Sequence, residues 1–235
     1  MAKERISQEM WLSQVIASLS DASIRSPLGD RMPGFPSEER QKNTTSIAGE
    51  QALRQANGFY CDICNVIDPA GLGLHAGAAV LDFGSCWGRI TRFFMRDVSV
   101  ENLHGIDVVS EFVDECRQLF GTNNFNVCNP LPPCEISSSS IHLITAYSVF
   151  SHLSENAFHA WMKEFHRILR PGGVLAFTTR SEVFLDYCKQ LRESAGPHSN
   201  YGSLSIRVVD SHALIGWAGC SQGFFGRCLS LAQTR

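Results

Sequence analysis

Two acids and a pair of glycines are the residues best placed to do chemistry. An apolar run, Ala78-Ala79-Val80-Leu81, ends in Asp82. Gly84 and Gly88 then bound a turn, giving the spacing D-x-G-x-x-x-G over residues 82–88. Buried parallel strands read as short apolar runs. A strand that meets a helix start through a glycine turn leaves backbone N–H groups unpaired, and a nucleotide-like ligand can use them. Asp107 stands 19 residues after Gly88, near the end of a second apolar stretch. A carboxylate accepts two hydrogen bonds at once, so an acid there can hold the two hydroxyls of a ribose. The alternative for Asp107 is a solvated acid at a strand end.

His152 is the candidate for proton transfer. It follows the fourth apolar strand, and a neutral imidazole there can take a proton from a hydroxyl or an amine. The alternative is a helix-start histidine that only satisfies a neighbour. Cys61 and Cys64 form C-x-x-C, but no further ligands stand nearby. They read as two small buried thiols, and no metal site is expected. Arg25, Arg31, Arg40 and Arg54 could meet an acidic substrate, with a solvated surface as the default.

These residues need elements to position them. Residues 5–19 read as an amphipathic helix carrying Trp11, Leu12, Val15, Ile16 and Leu19. Residues 20–48 read as irregular, broken by Pro27, Gly29, Pro33, Gly34 and Pro36. A helix over 49–67 places Leu53, Ala56, Tyr60, Ile63 and Ile67 on one stripe, and Asp68-Pro69 ends it. The first strand, near 78–83, leads into a helix with Ile90, Phe93 and Phe94 on one face. A strand over 102–109 precedes a helix with Ser110 as its N-cap and Gly121 at its C-terminus. Residues 125–128 make a short strand, 129–140 a loop and 141–147 another strand. Ser154 caps the next helix, Arg170-Pro171-Gly172-Gly173 stops it, and 174–179 is a fifth strand. A further helix is expected over 182–194. Alternating strands and helices give a parallel sheet with helices on both faces.

The chain has 235 residues, 44% of them hydrophobic, which suits one domain with an N-terminal extension. A net charge of −3 without a basic stripe argues against nucleic acid as a partner. No signal-like core or spanning run is visible, so no membrane association and a cytoplasmic location are expected. The nine cysteines are then reduced thiols.

The turn at 82–88 resembles the first motif of class I S-adenosylmethionine-dependent methyltransferases, [DE]-x-G-x-G-x-G, with Cys86 in place of the middle glycine. Asp107 falls where that family carries its ribose acid. Leu169-Arg170-Pro171-Gly172-Gly173 resembles the family's turn before the fifth strand, and Tyr147 to Leu153 resembles a subset of its members. The likeness covers about residues 78–195. It implies an α/β, Rossmann-like doubly wound, mostly parallel sheet. Residues 1–70 would be a helical extension or lid, and 71–235 the methyltransferase domain with a shortened C-terminal strand pair. Residues 38–60 resemble the helical segment that some relatives fold over the cofactor.

The resemblance also implies a site for S-adenosylmethionine. Asp82, Gly84, Ser85, Cys86 and Gly88 would surround the methionine half. Asp107 would hold the ribose, with Val108 beside the adenine, Asn129 at its edge and Tyr147 near the methionine moiety. Cys86 adds a side chain where backbone normally approaches the ligand, and is expected to need a backbone conformation open to residues other than glycine. The implied activity is methyl transfer to an O or N atom of a small-molecule acceptor. The rival is a methyltransferase-like binding or scaffold protein without catalysis. An NAD-dependent oxidoreductase is weakened by the absence of G-x-G-x-x-G.

Overall fold

A computed structural model describes residues 5–179 and the backbone of residues 228–233. Its sheet has six strands: β1 (Val80–Phe83), β2 (Leu103–Asp107), β3 (Phe125–Val127), β4 (Ile141–Ala146), β5 (Leu169–Thr179) and β6 (Cys228–Gln233). Their order is β3-β2-β1-β4-β5-β6. The first five are parallel, and β6 runs antiparallel to β5. The chain reverses its direction of winding between β1 and β4, and in such sheets ligands bind outside the carboxyl ends of the strands at that point. The fold is the Rossmann-like, mostly parallel architecture expected. Of the C-terminal strand pair only β6 is described. The helix expected over 182–194 lies outside the described residues.

The helices are α1 (Gln8–Ala17), α2 (Glu38–Thr45), α3 (Gly49–Ile67), α4 (Ser110–Phe120) and α5 (Glu155–Ile168). No described helix is long and apolar enough to cross a membrane. Strand alternation divides the core in two. Val80, Leu103, Leu143 and Val174 face a cluster with Trp11, Tyr60, Phe93 and Val113. Leu81, Ile106, Ile144 and Leu175 face a second cluster with Trp161 and Phe165 of α5. The stripe expected on α3 is buried throughout, from Leu53 to Ile67. The N-terminal extension is part of the first cluster. Trp11 is fully buried, and its indole N–H donates to the Phe93 carbonyl at 2.8 Å.

Four local expectations are corrected. Residues 20–48 are not irregular throughout, because α2 starts directly after Pro36. The Ser37 hydroxyl accepts the Arg40 N–H at 3.2 Å, and Glu38 and Glu39 complement the helix dipole. The segment after the glycine turn is a 3₁₀ helix, Thr91–Arg96. All six of its residues are buried, so no single stripe governs it. Val109, not Ser110, is the N-cap of α4. Ser110 opens the helix with its hydroxyl on Glu111. Finally, Arg170 to Gly173 is a bulge inside β5 and not only a helix stop. The register jumps from Ile141 opposite Leu169 to Leu143 opposite Val174. A Cβ on Gly173 would lie 2.8 Å from the Arg170 carbonyl, so the bulge needs glycine there.

Candidate active site

The site is built where β1 and β2 end. Gly84 (φ 76°) and Ser85 both donate their N–H groups to the Ile106 carbonyl, at 2.8 and 3.3 Å, which ties the turn to β2. Gly88 (φ 74°) closes the turn, with its N–H on the Ser85 carbonyl at 2.8 Å. Packing as well as conformation fixes both glycines. A Cβ on Gly84 would lie 2.5 Å from a Val149 methyl, and one on Gly88 would lie 2.3 Å from the Phe120 ring. Cys86 departs from expectation. Its φ of 49° lies in the left-handed region that favours glycine, at a cost of roughly 1–2 kcal/mol for an L-residue. Its carbonyl accepts the Cys116 thiol at 3.0 Å. Burial pushes the Cys86 thiol up to about 11, while a hydrogen bond with Thr44 of α2 acts the other way.

Asp107 is 8% exposed, and among the described residues its carboxylate is held by backbone N–H groups alone. Oδ2 accepts the Cys86 N–H and Oδ1 accepts the Val109 N–H, both at 3.0 Å. A carboxylate offers about four lone-pair directions, so each oxygen keeps one for a ligand hydroxyl. The Asp107 carbonyl accepts the Cys128 N–H at 2.9 Å, which brings Asn129 alongside. Asn129 is exposed, and Val108 is 54% exposed although apolar. A rigid acceptor with an apolar surface and an amide beside it fits the ribose and adenine of S-adenosylmethionine.

Asp82 differs. It is 2% exposed, and its two oxygens accept the hydroxyls of Thr91 (2.6 Å) and Thr145 (3.1 Å). Burial pushes its carboxyl up to about 6, against the lowering effect of those hydroxyls. It ties β1 to the 3₁₀ helix and to β4. Tyr147 follows β4 and sets its ring against Phe59 at 5.1 Å, edge to face. His152 ends the 3₁₀ turn Phe150–His152 and is exposed. The turn, Asp107, Val108, Asn129 and Tyr147 thus share the carboxyl end of the sheet. His152 lies on the segment whose Val149 packs on Gly84.

Sequence reasoning missed three contributors. The Arg92 side chain is fully buried, donating to the carbonyls of Pro33, Gly34 and Gly88 at 3.4, 3.1 and 3.3 Å. The Phe35 ring lies 4.1 Å from its guanidinium carbon. Burial pushes Arg92 down to about 9, which leaves it charged at neutral pH. Arg92 thereby pins a strap of chain, residues 33–36, to the glycine turn. The strap continues along α4, where Arg40 meets Glu115 at 3.5 Å and lies over Phe112. Arg89 spans from Gln55 of α3 to the face of Tyr147. Gly105 is the third. A Cβ there would lie 2.3 Å from the Phe125 ring and 2.9 Å from Ser85. Its only signal was a glycine inside an otherwise good strand. Of the other arginines, Arg54 pairs with Glu50, and Arg25 donates to carbonyls of its own turn. Cys64 is buried and Cys61 half-buried.

Residues 80–173 match the family described as Methyltransferase domain. A protein of Methanococcus maripaludis assigned to the S-adenosyl-L-methionine-dependent methyltransferases superposes with a TM-score of 0.51. It is 11% identical, over 83% of this chain and 90% of that one. The YcgJ protein of Bacillus subtilis is 20% identical with a TM-score of 0.43, over 53% of this chain and 55% of that one. The chain therefore spans about half of that protein's length. A SAM-dependent methyltransferase of Aquifex aeolicus is 18% identical with a TM-score of 0.42, over 70% of this chain and 85% of that one. At these identities the likeness is one of fold, and the first of the three carries it. No curated protein matches the chain.

Proposed function

We propose that the chain is a class I S-adenosylmethionine-dependent methyltransferase that moves the methyl group to an O or N atom of a small-molecule acceptor, a reading supported by the match of residues 80–173 to the Methyltransferase domain family. One observation supports this reading above the others. Asp107 is fixed by two backbone N–H groups, one of them from the glycine turn itself, with lone pairs left for a diol. When bound, S-adenosylmethionine supplies an electrophilic methyl group on a sulfonium sulfur. Asp107 would hold the ribose hydroxyls, Val108 the adenine face and Asn129 the adenine edge. The glycine turn, with Asp82, Ser85 and Cys86, and Tyr147 would border the methionine half.

Methyl transfer depends chiefly on alignment of the acceptor atom with methyl and sulfur. His152 would take the proton that an O- or N-acceptor loses. Residues 1–70 would act as the lid and residues 71–235 as the catalytic domain. The strap, pinned by Arg92, and α2, whose Thr44 meets Cys86, would be the part of this lid nearest the glycine turn. Lids of this kind exclude water and shape the acceptor pocket.

The second reading is a methyltransferase-like scaffold without turnover. It is favoured by Cys86, which places a side chain in a left-handed turn where the family has glycine. Release of S-adenosylhomocysteine over a panel of alcohols, phenols and amines separates the two. Turnover that falls about 10²–10⁴-fold in His152→Gln supports a catalytic base. Undiminished turnover in that variant removes the base. Cofactor binding without turnover on any acceptor favours the scaffold. The lid has its own check: proteolysis between Ser26 and Thr45 should slow when S-adenosylmethionine is added. An unchanged rate would make the segment a fixed part of the body.

A further inference from the structure

At the amino ends of the strands, opposite Asp107, a cavity of about 200 Å³ opens between the starts of β4 and β5 and the end of α3. Ile67, Leu143 and Val174 supply apolar walls, and His75, His142 and Arg170 supply polar ones. Arg170 and His75 are exposed and form a rim, while His142 is half-buried. The His142 Nδ1 accepts the Ala79 N–H at 3.1 Å, so the neutral ring carries its proton on Nε2 and is a donor there. The rings of His75 and His142 meet edge to face at 5.5 Å.

Among the described residues that line this cavity, none is acidic. Asp68, at the end of α3, does not line the cavity; its Oδ2 pairs with Arg5 at 2.5 Å, while its Oδ1, the atom that a Cβ on Gly73 would meet, is buried without a hydrogen-bond partner among the described residues. Arg170 owes its place to the β5 bulge, which turns residues 170–173 out of register with β4. Three groups that donate hydrogen bonds and can carry positive charge thus stand over an apolar floor.

We propose that this cavity binds a small organic carboxylate, with the carboxylate among His75, His142 and Arg170 and its apolar body against Ile67, Leu143 and Val174. The guanidinium fork matches a carboxylate in geometry as well as charge. An apolar cavity of about 150 Å³ accepts benzene, so this one suits a molecule the size of benzoate. The site is distinct from the methyl-transfer site, because the length of the strands separates them.

Electrostatics supply a readout. Burial, with help from the charges of Arg170 and His75, holds His142 below the usual histidine range. A bound carboxylate would favour the imidazolium and raise it. The test is a pH titration of the histidine Cε1–H signals of the full chain, with His142 identified through His142→Gln. It is run with sodium benzoate, with benzyl alcohol as the neutral analogue, and with sodium chloride at matched ionic strength. Benzoate should raise the His142 pKa, and the two controls should not. Arg170→Met, an exposed change, should weaken benzoate about tenfold or more, the size of one charge-assisted hydrogen bond. Its other histidine signals report that the fold is kept. A His142 pKa unmoved by benzoate, or moved equally by chloride, overturns the proposal. So does undiminished benzoate affinity in a folded Arg170→Met protein.

Discussion

Neighbouring strands β1 and β2 each carry an aspartate near the carboxyl end, and the fold uses the two in opposite ways. Asp82 is satisfied by two side-chain hydroxyls from different elements and is closed off from solvent. Asp107 is satisfied by two backbone N–H groups from the turn and from its own strand end. Hydroxyls reach into the interior and cross-link it. Backbone donors hold a carboxylate from behind and leave its outer lone pairs for a ligand. Residue type is the same in both places, and the source of the hydrogen bonds separates the structural acid from the one proposed to bind the ribose.

Removing the binding acid should have the largest effect. Asp107→Ala loses two charge-assisted bonds to a ribose, each worth roughly 1.5–3 kcal/mol, so S-adenosylhomocysteine affinity should fall about 150-fold or more by calorimetry. Unchanged affinity would make Asp107 as structural as Asp82.

The structural acid should instead declare itself through pH. Its carboxyl titrates at about 6 in the fold against 3.8 for an ordinary aspartate. Between those values the native state holds a proton that the unfolded chain has lost, so stability falls as pH rises through this window. Above about pH 6 the full cost applies, up to about 3 kcal/mol for a shift of this size. Asp82→Asn has no such proton to lose. The stability difference between variant and parent in urea should therefore shift in the variant's favour from pH 4 to pH 7. A pH-independent difference would mean that burial does not set the Asp82 titration.

The smallest effect should come from Cys86, whose N–H holds Asp107. Cys86→Gly relieves left-handed strain of about 1–2 kcal/mol, against an entropic cost of about 0.4–1 kcal/mol. Stability should move by about 1 kcal/mol or less, and cofactor affinity should be retained. A large loss of affinity in the folded variant would show that the thiol itself touches the ligand.

Much of this contrast was hidden in the sequence. The strands, α3 and the alternating architecture were legible because apolar spacing encodes burial directly. The glycine turn and Asp107 were legible as positions, because the glycines follow an apolar strand directly and the acid ends the next one. The split between Asp82 and Asp107 was not, since Thr91 and Thr145 are ordinary residues until the sheet brings them to Asp82. Arg92 was hidden for a related reason. A buried guanidinium served by three carbonyls and by aromatic faces leaves no acidic partner to notice. The start of α2 was signalled by Ser37-Glu38-Glu39, but the prolines before it carried more weight.

The most direct test is to titrate isotope-labelled protein with S-adenosylhomocysteine and map the amide shifts. Gly84, Cys86, Gly88, Val108 and Asn129 should move together and saturate with one affinity, while Gly71, Gly73 and Gly172 at the other end of the sheet stay fixed. Saturation with shifts only at that other end, or no shift at the turn at all, would contradict the placement of the cofactor at the carboxyl ends of β1 and β2.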